Sequence, residues 1–292
     1  MTGFWSSLSR RFRRQPLVTV LRLSGVIGGG GRFSRGLEDA SLAGLIERAF
    51  KPKRLDAVAL AINSPGGSPA QSSLIAQRIR DHAAERGVPV LAFCEDVAAS
   101  GGYMLACAAD EIWAERNSIL GSIGVISASF GFSEAIQRLG VERRLQTAGA
   151  AKARLDPFSP LKAEDEAWLS ALQNEIHKNF IEMVKSARGD RLGAEPPDAI
   201  FSGEVFLGED AVRLGLADGV GRLRPVLRER FGEEVRIEPV TRPRGLLSRL
   251  SPFSGAAPAA PEPQAAALDG LASAEAWIAA LERRALWSRY GL

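Results

Sequence analysis

The sequence predicts an α/β fold of repeated βα units, because short apolar runs alternate with helical stretches. The apolar runs have the length of strands and lie at residues 17–23, 57–62, 88–94, 111–114 and 141–146. The main helical stretches are Pro69–Arg86, with apolar residues at helical spacing, and Ala163–Arg188. A chain of 292 residues, 46% of them hydrophobic, is long enough to bury one sizeable core.

Composition divides the chain into four predicted segments. Residues 1–15 form a basic N-terminal extension, and residues 16–240 form the folded domain. Residues 241–268 are rich in proline and alanine, a composition typical of an extended linker. Residues 269–292 carry apolar side chains at helical spacing and predict an amphipathic helix. This helix is expected to pack on its own domain, with docking on a neighbouring chain or a membrane as the alternative.

Charge and cysteine content exclude several classes of protein. The net charge is +3, from 37 basic and 34 acidic residues, and the arginines are scattered, so binding to nucleic acid is rejected. Cys94 and Cys107 lie in apolar segments and are interpreted as buried small hydrophobes, since two thiols cannot complete a four-ligand metal site. The glycine run at residues 28–31 lacks the context of a dinucleotide site and is interpreted as a loop.

Ser100 is the candidate nucleophile. It opens the segment Ser-Gly-Gly-Tyr-Met-Leu-Ala directly after an apolar run, so its hydroxyl is expected at a strand-to-helix junction. Backbone N–H groups at a helix start are unpaired, and small glycines allow a substrate carbonyl to approach them. The alternative interpretation of Ser100 alone is an ordinary helix N-cap.

Lys152 is the candidate general base. It lies in Ala-Gly-Ala-Ala-Lys-Ala, a stretch with almost no side-chain polarity, and none of the other five lysines has such neighbours. An apolar site destabilises the charged ammonium relative to the neutral amine, and the neutral amine can accept a proton. The alternative is a solvated loop lysine.

A third segment, Asn63-Ser-Pro-Gly-Gly-Ser-Pro, predicts a turn between a strand and a helix. Its glycine pair would let the backbone present N–H groups to an oxygen atom, so this turn and the start of the helix after Ser100 could together form an oxyanion hole. The alternative is a plain βα turn.

Four motifs, taken in order, resemble the signal peptide peptidase A family of serine peptidases. They are Asn-Ser-Pro-Gly-Gly, Ala-Ala-Ser-Gly-Gly-Tyr, Gly-Ser-Ile-Gly-Val-Ile and Ala-Gly-Ala-Ala-Lys, and the resemblance covers residues 18–221. Together they are far more specific than any one of them. The resemblance implies a crotonase-like or Clp-like fold, and it indicates a short form with a single catalytic repeat.

The resemblance also assigns a role to each candidate residue. Ser100 corresponds to the nucleophile, and Lys152, 52 residues later, corresponds to the general base. Ser122 corresponds to the serine that holds the lysine amine in line with the attacking hydroxyl. Three glycines complete the site: Gly67 and Gly101 for the oxyanion hole and Gly66 for the shape of the turn.

The implied activity is that of a serine endopeptidase that cleaves peptides or unfolded segments, including remnants of signal peptides, through an acyl-enzyme. No metal or cofactor is implied. Family members assemble as rings in which lysine and serine meet across a protomer or repeat boundary, so a hypothesis is that Lys152 of one chain serves Ser100 of its neighbour, with action within one chain as the alternative. The alternatives are a scaffold that binds peptides or membrane partners without catalysis, and an acyl-CoA hydratase or isomerase that would leave both residues without a role.

The two histidines favour a lysine base by elimination. His82 and His177 are both expected as solvated residues on helices, and neither lies where the Clp protease subunit has its catalytic histidine. The first 25 residues contain no apolar stretch approaching the 18 residues of a membrane span and no signal-peptide pattern. A cytoplasmic location is therefore expected, with peripheral contact of the basic extension at the inner face of the membrane as an alternative.

Overall fold

The strands assemble into one sheet in the computed structural model, which describes residues 15–28, 36–193, 197–241, 281 and 284–291. Within these ranges the sheet has eight strands. They are β1 (Leu17–Ser24), β2 (Ala57–Ser64), β3 (Val90–Ala99), β4 (Glu111–Ala114), β5 (Ile119–Gly121), β6 (Val205–Leu207), β7 (Gly219–Val220) and β8 (Arg236–Pro239).

The strand order is β6-β5-β3-β2-β1-β8, with β4 paired to β3 and β7 paired to β4. Every pairing is parallel except that of β5 with β6. The long strand β3 has two neighbours in succession on one side: its first half pairs with β4 and its last residues pair with β5. Strand β3 therefore extends past the end of β4, and its last residues lie next to β5.

Helices cover both faces of the sheet. The helices are α1 (Asp39–Phe50), α2 (Pro69–Arg86), α3 (Gly101–Ala106), α4 (Ser133–Arg138), α5 (Ala163–Arg188), α6 (Pro197–Phe201), α7 (Gly208–Arg213) and α8 (Leu223–Phe231). Buried side chains of α1, α2, α3 and α5 belong to the larger apolar core, whereas α8 packs with the opposite face of β2 and β3. Alternate residues of β2 belong to the two cores, as expected of a strand buried on both faces.

Local chemistry explains the bounds of α2. The Ser68 hydroxyl accepts a hydrogen bond from the Gln71 N–H, and Pro69 occupies the first helical position, where no backbone donor is needed. Gly87 ends the helix at φ +59°, a left-handed conformation that glycine adopts without strain. The helix therefore begins directly at the Pro-Gly-Gly turn.

The predicted α/β class and its repeated βα units are confirmed, as are the strands expected at residues 17–23, 57–62, 88–94 and 111–114. The strand expected at 141–146 is wrong. This segment has no regular structure, and Val141 and Leu145 are about half exposed because no strand or apolar face among the described residues covers them.

The terminal predictions lie mostly outside the described residues. The extension at 1–15 and the linker at 241–268 fall almost wholly outside them. Of the helix predicted over 269–292, residues 281 and 284–288 are described as helical. Among the described residues, no helix is both long enough and apolar enough to cross a bilayer.

Residues 126–162, which lie between β5 and α5 in the sequence, form a segment that we call the arm. No residue of the arm is buried. Eight of its large hydrophobic side chains are exposed: Ile126, Phe130, Phe132, Leu139, Val141, Leu145, Phe158 and Leu161. A contiguous stretch of this kind is typical of a surface that another molecule covers.

Candidate active site

Ser100 lies at a sharp junction between β3 and α3. Its φ of +53° is unusual for a residue with a side chain. Its N–H donates to the Gly121 carbonyl at 2.8 Å, and its own carbonyl accepts from the N–H groups of Tyr103 and Met104 at 2.9 and 3.1 Å. These three bonds hold the backbone in the strained conformation. Strain of this kind, where the surrounding structure fixes it, is concentrated at functional sites.

The Pro-Gly-Gly turn packs directly against Ser100. A Cβ at Gly66 would lie 2.8 Å from the Cβ of Ser100 and 2.9 Å from the Gly101 nitrogen, closer than real side chains approach. Gly67 has φ +145°, and a Cβ there would overlap the carbonyl of Ile27. Glycine is therefore required at both positions for the turn to reach the serine.

Two backbone donors flank the serine without acceptors. In the part of the chain that the structure describes, neither the Gly67 N–H nor the Gly101 N–H has a hydrogen-bond partner. Both residues line the same cavity as Ser100. Backbone N–H groups that remain unpaired are uncommon, and a pair beside a hydroxyl is the arrangement that stabilises a developing oxyanion.

The cavity beside Ser100 has a volume of about 380 Å³. One wall comes from α2 and α3 through Ala70 and Met104, and another comes from α5 through Phe180 and Met183. Gly124, which follows β5, also lines the cavity. These walls are largely apolar and of a size suited to a side chain next to a scissile bond.

Ser122 lies one strand away from Ser100, at the end of β5. It is 8% exposed and has φ +50°. Its N–H donates to the Glu204 carbonyl at 2.7 Å. The Gly121 carbonyl, one residue earlier, accepts the Ser100 N–H, so the two serines belong to adjacent, hydrogen-bonded segments. The structure thus brings together Ser100, Ser122 and the segment of Gly66 and Gly67.

Lys152 is not brought into this group within one chain. It lies in a turn of the arm, is exposed, and does not line the cavity that contains Ser100. Its N–H donates to the Gly149 carbonyl at 3.2 Å. The apolar surroundings expected from the sequence are therefore missing in the single chain, because its alanine neighbours lie on an uncovered surface.

The arm nevertheless has packing of its own. Arg143 pairs with Asp156 at 2.8 Å and lies over the ring of Phe158. Arg154 lies 3.5 Å from the Asp165 carboxylate, which is buried near the start of α5 and also accepts the Leu155 N–H. These contacts give the turn that carries Lys152 a defined position relative to α5.

His177 is a site feature that the sequence analysis missed. Its Nε2 lies 2.9 Å from the Ile123 carbonyl, next to Ser122, and the residue is half-buried rather than solvated as expected. A signal was present in the sequence, since His177 precedes the buried Phe180 and Val184 by three and seven residues on α5. His82 is also not fully solvated, because it stacks on Phe50.

An ion pair between a buried arginine and a partly exposed aspartate supports the helices around the cavity. Arg188, at the end of α5, is 2% exposed and donates to both carboxylate oxygens of Asp218 at 2.8 and 3.0 Å. The Tyr103 hydroxyl, on α3, donates to the Leu216 carbonyl at 2.8 Å. These bonds connect α3 and α5 to the segment that precedes β7.

The two cysteines are buried and free, as predicted. Burial raises the pKa of Cys107 to about 12 and raises the pKa of Cys94 further. The thiols are therefore protonated at neutral pH and are not candidates for the nucleophile.

Comparisons with known proteins add the following likenesses. The model of peptidase family S49 matches residues 82–234. The chain is 49% identical over 290 residues to a protein of Brucella abortus (strain 2308) named Na(+)/H(+) antiporter NhaA, a match that covers 98% of this chain and 38% of that protein. It is 32% identical over 202 residues to the Putative protease MJ0651 of Methanocaldococcus jannaschii (strain ATCC 43067 / DSM 2661 / JAL-1 / JCM 10045 / NBRC 100440), covering 69% of this chain and 64% of that protein.

Among solved structures, a mutant of the 1510-N membrane-bound stomatin-specific protease matches with a TM-score of 0.49 and 15% identity. The match covers 79% of this chain and 100% of that chain. The present chain spans less than two thirds of the length of both curated relatives named above.

Proposed function

The chain belongs to peptidase family S49, and we propose that it is a serine endopeptidase in which Ser100 attacks the substrate and Lys152 acts as general base. One observation carries the proposal. Ser100 is held at φ +53° in a largely apolar cavity that Gly67 and Gly101 also line, and the N–H groups of both glycines are without partners among the described residues. An ordinary helix N-cap needs no positive φ, and a helix start accounts for the free N–H of Gly101 but not for that of Gly67.

The reaction follows from these groups. The neutral amine of Lys152 accepts the hydroxyl proton of Ser100 while Oγ bonds to the peptide carbonyl carbon. The oxyanion that forms accepts hydrogen bonds from the N–H groups of Gly67 and Gly101. The lysine ammonium then protonates the departing amine as the C–N bond breaks, and water releases the acid product from the acyl-enzyme. Proton transfer contributes about two to four orders of magnitude in rate, and each oxyanion donor about two to three.

The lysine reaches the serine through assembly. Lys152 is exposed on an arm whose large apolar side chains are uncovered in one chain. A second copy that packs on the arm would bury those side chains and supply the apolar surroundings that a neutral amine needs. In a ring of such copies, Lys152 of one chain serves Ser100 of its neighbour, and Ser122 orients the amine. Activity then requires the oligomer.

The cavity supports a preference for apolar substrates. Ala70, Met104, Phe180 and Met183 offer apolar surface beside Ser100. A small or apolar residue at the cleaved bond would fill this space, whereas a charged residue would lose hydration without gaining a partner. Unfolded apolar segments, including remnants of signal peptides, fit this description.

We further propose that the domain acts in the cytoplasm, at the inner face of the membrane. The basic cluster at residues 10–14, which lies outside the described residues, would be attracted to anionic lipid by about 1 kcal/mol for each basic side chain. Cell fractionation tests this location: the protein should sediment with membranes at low salt and leave them at high salt.

A mixing experiment tests the catalytic proposal. Wild type, Ser100→Ala and Lys152→Ala are assayed on a panel of fluorogenic peptides, with the mass of each assembly measured by light scattering. Each variant alone should be inactive while the oligomer persists. After mixing and exchange of subunits, about a quarter of the sites should combine an intact serine with an intact lysine, so that about a quarter of wild-type activity returns.

Two results would contradict the proposal. Mixed variants that stay inactive although subunits exchange would show that the lysine does not act across chains. A wild type that assembles and yet cleaves no peptide would favour the non-catalytic scaffold instead.

A further inference from the structure

We propose that His177 is a positioning residue for the peptidase site: its imidazole holds the segment 121–124 so that Ser122 faces the catalytic lysine. The inference rests on the proposed function, because it concerns the orientation of the base. His177 does not line the cavity beside Ser100, so it acts through the segment that it holds.

Gly121 is paired with β3 and β6 in the sheet, and four hydrogen bonds fix the segment that continues from it. The Gly121 carbonyl accepts from the Ser100 N–H, and the Ser122 N–H donates to the Glu204 carbonyl at 2.7 Å. The Gly124 N–H donates back to the Ser122 carbonyl at 3.0 Å and closes a tight turn around Ile123. The fourth bond is the imidazole contact to the Ile123 carbonyl at 2.9 Å, the one bond of the four that depends on a side chain.

The imidazole has no substitute at this carbonyl. In the described part of the chain, no other group donates to Ile123, whose side chain is completely buried. A carbonyl accepts hydrogen bonds only, so Nε2 must carry the proton in this contact, as it does in one neutral tautomer and in the imidazolium. Without the imidazole, the turn would lose its anchor and a buried carbonyl would lose its donor.

The same contact connects the loop to the wall of the cavity. Ile176 and Phe180, on either side of His177 on α5, line the cavity together with Gly124. Ser122 has φ +50°, a conformation that a residue with a side chain leaves readily when its surroundings loosen. The imidazole thus sets the spacing between α5 and the loop, and it opposes relaxation of Ser122 away from its strained position.

Matched variants at position 177 test the role. In His177→Gln, the side-chain amide reaches about as far as Nε2 and can still donate to the Ile123 carbonyl. In His177→Asn, the same amide is one methylene too short, and in His177→Leu the donor is lost. Lys178→Ala, an exposed neighbour on α5, is the control for changes to the helix. For each variant, kcat and KM are measured on the best fluorogenic peptide, together with assembly mass and melting temperature.

The expected result is a split between the two kinetic constants. His177→Asn and His177→Leu should lower kcat by about 10-fold, with KM changed by less than about 2-fold, since the base is misaligned while the cavity persists. His177→Gln and Lys178→Ala should keep kcat within about 2-fold of wild type. If His177→Leu does not fold, the comparison of kcat between His177→Gln and His177→Asn tests the inference.

Three outcomes would overturn the inference, and they are distinguishable. Equal kcat in all variants, or equal loss in Gln and Asn, would show that the hydrogen bond does not position the base. Loss of folded protein in His177→Asn would assign the imidazole to stability alone. A wild type no more active than Ser100→Ala would instead refute the proposed function on which the inference rests.

Discussion

A methyl group at position 101 should inactivate the site by moving one oxyanion donor. A Cβ added at Gly101 would come within 3.0 Å of Ser72 Oγ, whereas ordinary van der Waals contact begins at 3.4 Å. Because Ser72 is completely buried, the helix start must give way by about 1 Å. A misplacement of that size at a reacting centre costs about 100-fold in rate. We therefore expect kcat of Gly101→Ala to fall about 100-fold.

The same contact predicts a rescue. Ser72→Ala removes Oγ, whose bond is to the Ser68 carbonyl one turn earlier in α2, and an alanine is well tolerated there. The other neighbours of the new methyl group, Ile27 Cδ1 and Gly66 Cα, lie at 3.2 and 3.4 Å and can adjust. The double variant should therefore recover about 10-fold over Gly101→Ala, a non-additivity expected of side chains in contact.

The assay compares wild type, both single variants and the double variant on one fluorogenic peptide, with folding checked by circular dichroism. Ser72→Ala alone should stay within about 2-fold of wild type. A Gly101→Ala variant that retains a third of the activity would refute the steric argument. So would a double variant that folds but is no better than Gly101→Ala, since the overlap with Ser72 would then not be the cause.

Three further predictions concern other parts of the molecule. Burial opposes the ionisation of Asp218, but hydrogen bonds from Arg188 and from a backbone N–H outweigh burial and lower the pKa of the carboxyl group. The free energy of unfolding should therefore fall as the pH drops below the ordinary value of 3.8 and through the lower pKa of the folded state. Arg188→Met should cost about 1.5–3 kcal/mol in urea unfolding at pH 7, because it removes charged hydrogen bonds to a partly exposed carboxylate, and it should flatten that acid dependence; an unchanged midpoint would contradict the role of the pair. Iodoacetamide should leave Cys94 and Cys107 unmodified in the native protein and should leave the activity unchanged. Mass spectrometry detects the modification, and rapid modification would show that the thiols are not buried. Phe130→Asp, at a side chain that is 80% exposed, should lower the assembly mass and the activity together without lowering the melting temperature of the monomer; an active monomer would exclude assembly through the arm.

The sequence was sufficient to predict the βα units because their signals are local. The helices Pro69–Arg86 and Ala163–Arg188 have the predicted bounds, and β4 coincides with the predicted 111–114. Strand β3 continues five residues past the predicted end at Cys94. Two acidic residues interrupt the apolar pattern there, and the structure accommodates them on an open part of the sheet.

Those two residues show why the prediction stopped early. Glu95 forms a bidentate ion pair with Arg22 of β1, at 2.7 and 2.8 Å, and Asp96 accepts a hydrogen bond from the side chain of Asn63 of β2. The two polar residues of β3 therefore have partners on the adjacent strand β2 and on β1, one strand further. Such pairing depends on register, which a single sequence does not reveal.

For the site too, the features with local sequence signals were predicted, and those that depend on distant contacts were not. The resemblance to the signal peptide peptidase A family is confirmed by membership of family S49, and the turn and the junction at Ser100 form as expected. Lys152 could not be placed, because its surroundings depend on a surface that one chain leaves open. Its role, like that of Ser122, stays a prediction. His177 was missed because its partner is a backbone carbonyl in the loop after β5, distant in sequence.

The backbone of the two serines offers a last test of their role. Within the described ranges, three residues other than glycine have positive φ: Ser100 at +53°, Ser122 at +50° and Leu155 at +56°. Glycine would adopt these conformations at lower cost, so a sequence shaped by stability alone would carry glycine there. We expect Ser100→Gly and Ser122→Gly each to be more stable than the corresponding alanine variant by about 1 kcal/mol, and yet to be catalytically impaired. Leu155→Gly, compared with Leu155→Ala, is the matched control on the arm and should show the same gain in stability. The reasoning would be refuted if Leu155→Gly were more stable than Leu155→Ala while the serine-to-glycine variants were no more stable than the alanine variants. The positive φ at the two serines would then not be a strain maintained for their hydroxyl groups, and the argument for their catalytic role would lose its structural basis.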